Sequence, residues 1–292
     1  DARNRDWAAS PPGTAFVPIY PNGFLPLIVS TIEDVSAAMG VRGEVSGWNV
    51  DLSGVYGRNQ LDYNVENSVN TSLGGLNSNR RFDAGGLRFG QTVVNLDVQR
   101  TIPTSFLSEL SLAAGAEYRR ENFQIVQGEP QSYVNGPFSA AALGGAAGGS
   151  QVFPGFRPNN EVDESRDSFA AYLELDADIT ERLSLQVAGR FEHYSDFGST
   201  INGKVAGRFE PIDGIAVRGS VSTGFRAPSL HQQFFTATST NNVGGVLIEV
   251  GTFPVTDPVS VALGGQPLEP ERSLNIGGGI ALTPVRGLSL TA

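Results

Sequence analysis

Between Ser168 and Arg226 the chain alternates apolar and polar residues in four short runs, folded back by tight turns. In the run Leu183–Glu192 the residues Leu183, Leu185, Val187 and Phe191 are apolar. Ser184, Gln186, Arg190 and Glu192 between them are polar, and Ile215–Ser222 repeats the pattern. A period of two is the signature of a strand whose two faces meet different surroundings. Here arginines and carboxylates line one face and the other is continuously apolar. That division suits a wall between lipid and a wet lumen better than a wall between a core and solvent.

No apolar run approaches the ~20 residues that a membrane-spanning helix needs; stretches such as Phe24–Val29 are far shorter. This excludes a spanning helix but not a spanning strand, which needs only about 9–11 residues. With 36 glycines the composition favours turns and β-surfaces over helices. Cysteine is absent, which excludes disulfides, thiolate metal sites and a cysteine nucleophile. A net charge of −10 with no basic stripe argues against a nucleic-acid partner. Charge alone would equally fit a soluble acidic surface.

The chain begins at Asp1 without a methionine or signal sequence, and it ends at Leu288–Ala292 in mid-alternation. Residues 1–292 are therefore expected to be one β-domain, incomplete at both ends, from a longer protein.

Short polar or Pro/Gly connections occur at Ser46-Gly47, Thr101–Ser105, Asp178–Arg182, Glu210–Gly214 and Thr283–Gly287. Long irregular stretches lie at roughly 57–86, 128–165 and 227–266, with a brief one near Asp196–Ser199. When the strands are numbered through the chain, the short turns fall on one side and the long loops on the other. Outer-membrane barrels have this asymmetry. About ten strands are expected: near 29–44, 48–57, 87–100, 106–126, 166–178, 183–196, 200–210, 215–225, 268–282 and from 288. The apolar phase changes between Phe89 and Val94, predicting a bulge near Gly90. It changes again before Phe123 and Ile125, where the strand is expected to rise above a membrane. The fold class is thus an all-β, antiparallel transmembrane β-barrel, here partial. Trp48, Tyr56, Tyr118, Phe169, Tyr172, Phe191, Tyr194, Phe209 and Phe225 lie near strand ends, as interfacial aromatic girdles do.

Catalytic signals are scarce. His193 and His231 are the only histidines, and His231 opens a loop with no carboxylate at metal-ligand spacing. His193 reads as a rim residue. Asp196-Phe197-Gly198 matches a kinase tripeptide without any other kinase element, and Gly144–Gly149 has no following lysine to cradle phosphate. The pairs Asp176/Asp178 and Glu269/Glu271 share strand faces, where hydration or lumen-side pairing explains them. No enzyme, resident metal or cofactor is expected.

An ordered set of motifs is more specific. Arg190-Phe191-Glu192-His193-Tyr194-Ser195-Asp196-Phe197-Gly198 is followed by Gly224-Phe225-Arg226-Ala227-Pro228-Ser229-Leu230, then by Leu268-Glu269-Pro270-Glu271. Upstream, Val41–Glu44 and Gly47–Ser53 read as an earlier hairpin. Together these resemble the barrel of TonB-dependent outer-membrane receptors, from about Thr14 onward and most specifically over 190–273. Physically, Pro228 cannot donate to a β-ladder, so pairing ends there. Pro270 and Glu271 mark the return strand. The first role of Tyr194, Asp196, Phe197, Gly198, Gly224, Phe225, Arg226, Ala227, Pro228, Ser229, Leu268, Pro270 and Glu271 is architectural.

The resemblance implies a barrel of about 22 strands closed by an N-terminal plug. It would sit in the outer membrane of a Gram-negative bacterium. It would take up a scarce nutrient (a ferric siderophore first, cobalamin or a saccharide as alternatives) with energy from a TonB-type transducer that grips a segment ahead of the plug. Its partners would be outer-membrane lipid, the extracellular nutrient and that transducer. Tyr133, Phe156 and Arg157 in one long loop, and Arg226, Gln232 and Phe234 in another, are the candidate ligand contacts. The competing reading is a passive diffusion porin, and a third is a soluble β-rich binding module. The substrate and oligomeric state are not encoded in any motif.

Overall fold

The computed structural model describes residues 20, 23–74, 77–105, 107–139, 146–244, 246–285 and 287–292. Ten antiparallel strands form one sheet in simple chain order. They are β1 (Leu27–Val45), β2 (Trp48–Glu66), β3 (Phe82–Ile102), β4 (Glu109–Val126), β5 (Val162–Thr180), β6 (Leu183–Tyr194), β7 (Gly198–Ile212), β8 (Ile215–Arg226), β11 (Glu271–Val285) and β12 (Leu288–Thr291). Between β8 and β11, β9 (Ala237–Val243) and β10 (Val246–Thr252) form a separate hairpin. Among the described residues, three one-turn helices, α1 (Pro130–Tyr133), α2 (Leu230–Phe234) and α3 (Pro258–Ala262), lie in the loops. No helix among the described residues is long and apolar enough to cross a membrane. The large sheet is not closed: β1 and β12 are its two edges among the described residues.

Two adjacent cross-strand rows show what the alternation builds. Val41, Leu52, Leu96, Ala116, Ala171, Phe191 and Ile201 are successive register partners across seven strands. One residue along, Arg42, Asp51, Asp97, Gly115, Tyr172, Arg190 and Asn202 make the parallel row. The first row is apolar and lies on a bare face; the second is largely polar. We call the bare face outer and the other inner. Val41, Leu52, Leu96, Phe191 and Ile201 are all exposed, as are Val94, Phe169, Leu173, Val205, Val217 and Ile276. In water a continuous apolar face of this extent would be a severe liability. Against lipid tails it has its natural solvent.

The inner row explains one glycine. The Tyr172 hydroxyl donates to the Asp97 carboxylate at 2.5 Å. A Cβ on Gly115, between them in register, would fall 2.4 Å from the tyrosine ring. Tyr172 and Tyr194 therefore serve the inner side rather than an outer girdle, because their hydroxyls find carboxylates there: Asp97 for one and Glu192 at 2.9 Å for the other. Phe225 shares the register face of Val217 on β8 and packs edge-on against Tyr194 at 5.9 Å.

The strands outrun any bilayer. β1 to β5 are 18 to 21 residues long, against the about 9–11 that span lipid. Their surplus lies at the loop end, and there the faces exchange character. Leu61, Tyr63, Val65, Leu87, Phe89, Phe123 and Ile125 are inner and apolar, while Arg58, Gln60, Asp62, Arg88, Arg120 and Asn122 are outer. This exchange corrects two expectations. The first long loop shrinks from 57–86 to 67–81, because 58–66 and 82–86 continue the strands in the opposite phase. Nor is there a bulge at Gly90, which pairs regularly with Arg58 and Asn122. The irregularity lies between Asp62 and Asn64 of β2 and leaves Ala84-Gly85 of β3 unpaired. Gly85 has φ +83°, and a Cβ there would meet the Val126 carbonyl oxygen at 2.2 Å. The sequence also gave no strand to 237–252, where the β9–β10 hairpin stands.

Short turns and long loops sort to opposite ends as expected. Ser46-Gly47 closes β1–β2 with both φ positive (52° and 79°), the primed geometry that matches strand twist. The turns β3–β4, β5–β6, β7–β8 and β11–β12 share its end; Arg286 of the last lies outside the described residues. So do residues 140–145, which include Gly144 and Gly145 of the glycine-rich Gly144–Gly149 stretch, and the start of the family resemblance at Thr14.

Candidate functional site

The three long loops fold together over the inner face at one end of the sheet. Their apolar floor is Phe123, Ile125, Phe156 and Leu230, with Tyr63, Leu87, Phe89, Phe153, Phe234 and Phe235 packed around it. A second cluster of Val65, Phe82 and Ala84 adjoins it through Tyr63 and Phe153. Burying one such side chain contributes about 1.5–3 kcal/mol, so the layer is a small core of its own.

Hydrogen bonds stitch the loops. Asn70, fully buried in the first loop, donates to the carbonyls of Gln131 at 2.9 Å and Val134 at 3.0 Å in the second. Its side-chain oxygen accepts from the Ser72 amide at 3.1 Å, so every polar atom of the amide is used. The β9–β10 hairpin is held by Glu249, which accepts from both terminal nitrogens of Arg157 at 2.6 and 3.1 Å and from Asn135 at 2.9 Å. The Arg157 guanidinium, then Asn135, holds the Glu249 carboxyl below its usual range.

Arg166 of β5 is the joint between strands and loops, and it is almost fully buried. Its Nε donates to Glu121 of β4 at 2.9 Å, and Nη1 reaches Asp196 at 3.3 Å and the Pro228 carbonyl at 2.7 Å. The guanidinium lies over the Tyr194 ring at 5.2 Å, and that ring stacks on Phe197 at 4.5 Å. Gln233 adds a bond to Asp196 at 2.9 Å. Ser229 caps α2 by accepting from the Gln232 amide at 3.1 Å, and the Gln232 side chain accepts from the Ser229 amide in return. Tyr194, Asp196 and Phe197 from one motif therefore meet Pro228 from the next around a residue outside both. Glu271 opens β11 opposite Arg226.

Of the sequence candidates, Phe156 is buried in the loop core and Phe234 packs against it. Arg157 is engaged by Glu249. Gln232 sits exposed in the first turn of α2, Tyr133 is half-buried at the end of α1, and Arg226 is exposed at the end of β8. His231 packs its ring edge-on to Phe123 at 5.4 Å, and His193 pairs with Ser199 at 2.9 Å on the exposed rim. Arg166 was missed: an arginine within Glu164-Ser165-Arg166-Asp167 reads as one more solvated charge.

Below the loops the inner wall is polar. Arg190 bridges Glu117 at 3.5 Å and Glu192 at 2.8 Å. A recess of about 520 Å³ over β5–β8 and β11 is lined by Asp176, Gln186, Lys204, Arg208, Arg218 and Ser220, among others. No group of three or more His, Asp or Glu side chains among the described residues is placed to hold a metal ion.

A two-faced antiparallel wall, lipophilic outside and polar inside, with its loops gathered at one end, defines a membrane β-barrel segment. The profile of the family described as "TonB dependent receptor-like, beta-barrel" matches residues 5–292, and the chain belongs to that family. Its members are outer-membrane proteins of Gram-negative bacteria, receptors rather than enzymes. Among solved structures, a mutant of the ferric enterobactin receptor PfeA from Pseudomonas aeruginosa is 14% identical, with TM-score 0.58 over 89% of this chain and 33% of that one. The siderophore receptor PirA from Acinetobacter baumannii is 16% identical, with TM-score 0.53 over 87% and 33%. The RagAB peptide transporter is 11% identical, with TM-score 0.55 over 88% and 29%. Identities this low carry the fold alone. The chain spans about a third of the length of the receptors it matches. A sequence search of curated proteins finds no match.

Proposed function

We propose that this chain is barrel wall from an outer-membrane receptor that takes up a scarce nutrient with TonB-type energy coupling, a ferric siderophore being the favoured cargo. The observation that carries the reading is the loop layer: a packed, hydrogen-bonded cap over a polar inner wall, built on the motif joint at Arg166. A passive pore has no need of so ordered a cap. The likeness to PirA and PfeA favours siderophores; cobalamin and saccharides are the alternatives within the family, and RagAB adds peptides. In the whole protein, a plug and coupling segment ahead of this region and further strands after it would complete the transporter. Its loop end would face outward. Tyr133, Arg157, Arg226 and Gln232 would meet the ligand, with Phe156 and Phe234 supporting them from the loop core.

The test is uptake by a deletion strain carrying the full-length gene, given a labelled ferric siderophore, cobalamin, an oligosaccharide or a peptide in separate assays. One cargo should accumulate, and a protonophore should abolish its accumulation. Protonophore-insensitive entry of small solutes would instead identify a diffusion porin.

A further inference from the structure

Outside the loop layer, three arginines from three adjacent strands converge on the outer face. Arg58 of β2 and Asn122 of β4 flank Gly90 of β3 in register, while Arg88 stands opposite Gln124 and Arg120 opposite Thr92. Together with Tyr56 and Gln124 they line a recess of about 310 Å³. Gly90 leaves its floor open, since a Cβ there would have nothing within 4 Å. Among the described residues the buried Nε of Arg88 has no hydrogen-bond partner. Arg58 is only lightly engaged, donating to neutral Gln60. Arg120 has a 3.5 Å pair with Asp167 and is half-exposed. Two cations of the three thus lack an ion-pair partner among the described residues.

The height of the recess is as informative as its charge. Directly beneath it the outer face turns apolar: Val94 and Leu96 follow on β3, and Tyr118 lies below Arg120 on β4. A cationic recess bordering an apolar belt meets a molecule whose anionic head and hydrocarbon tails are joined. Guanidinium forks bind phosphate oxygens in two-point fashion, and basic pockets beside spanning elements collect acidic lipid heads.

We propose that Arg58, Arg88 and Arg120 bind the phosphate of an outer-leaflet glycolipid whose acyl chains lie along Tyr56, Val94 and Tyr118. The proposal rests on the outer-membrane reading above, with the loop end outward. The phosphate pairs with the Arg58 and Arg88 guanidiniums, and the lipid covers Gly90.

The test uses the full-length receptor in detergent micelles, with diphosphoryl lipid A, dephosphorylated lipid A and inorganic phosphate as separate probes, read by native mass spectrometry. The wild type should bind the diphosphoryl lipid about tenfold or more tightly than the dephosphorylated one. The variant R58Q/R88Q/R120Q should lose that preference, and R182Q, at the opposite end of the sheet, should keep it. Should the triple variant fail to fold, R88Q alone should still weaken the preference several-fold. Equal binding of both lipids, an undiminished preference in R88Q, or full competition by millimolar inorganic phosphate would overturn the proposal. Fractionation of wild-type cells is run alongside. A receptor absent from the outer membrane would refute the location, whatever the arginines bind in detergent.

Discussion

The Arg166 guanidinium donates to the Pro228 carbonyl across 2.7 Å, tying β5 to the chain as it leaves β8. Proline has no amide hydrogen to continue the ladder, so the strand ends and its carbonyl turns to a side chain instead. The same guanidinium holds Glu121 and Asp196. R166A would leave two poorly hydrated carboxylates and a carbonyl unpaired, a loss of about 3–5 kcal/mol. Protease cleavage within 227–270 should rise sharply in the variant. R166K keeps the charge but not the planar fork, and should restore protection only in part. Unchanged cleavage in R166A would show that the loops are held without this joint.

Phe156 separates support from ligand contact. It is buried among Phe123, Ile125 and Leu230, so F156A should destabilise the loop layer by about 3–5 kcal/mol. F156L, closer in volume, should recover most of that. If the side chain acts through packing, ligand affinity will follow stability across the two variants. Affinity lost in F156L with stability intact would place the ring in direct contact with cargo.

The β9–β10 hairpin should loosen in acid. Its Glu249 carboxyl is held below the ordinary range by Arg157 and then by Asn135, so the folded pKa lies under the unfolded one. The contribution is complete above the unfolded value of about 4.3 and disappears as pH falls through the folded value. Glu249 is nearly half exposed, so the effect is local, worth about 1 kcal/mol at most. Because the chain contains no cysteine, a single Asn241→Cys spin label can report it. Label mobility should increase on acidification below pH 4, and E249Q should be mobile at neutral pH. A pH-independent signal would contradict the assignment.

The sheet was legible because the alternation that makes a strand also states its solvent, and the turns sorted the ends. What misled was the assumption that one face keeps one solvent. Leu87 and Phe89 are apolar and inner under the loops, whereas Val94 and Leu96 are apolar and outer below them. The resulting slip looks like a bulge although the strand is regular through Gly90. The real bulge, at Ala84-Gly85, sits where only the fold reveals a positive φ. The β9–β10 hairpin did carry a signal, Gly244-Gly245 between two valines, but its flanks are polar and alternate weakly. Arg166 carried none, since its worth lies in partners 30 to 62 residues away.

The two glycines of β3 test that account directly. G85A forces a Cβ to 2.2 Å from the Val126 carbonyl at a positive φ; it should destabilise the loop end by several kcal/mol, about 2–4. G90A meets nothing within 4 Å and should be neutral within about 0.5 kcal/mol. Urea midpoints of the two variants should separate accordingly. Equal damage at both positions would return the irregularity to Gly90.

Neighbouring residues on β5 give the sharpest test of the wall itself. Leu173 points outward and is half exposed, while Glu174 points inward and accepts from Gln186 at 2.7 Å. If the outer face meets hydrocarbon, L173R should lower barrel stability by about 2–4 kcal/mol, the penalty for a cation near the bilayer midplane. E174R exchanges one charge for another beside polar neighbours and should be far milder. In water the order would invert: an exposed Leu173 would tolerate arginine, while losing the Gln186 bond would be felt. Refolding titrations of both variants into lipid vesicles, with the full-length protein, measure the difference. A harmless L173R would mean that this apolar face is covered by protein rather than lipid.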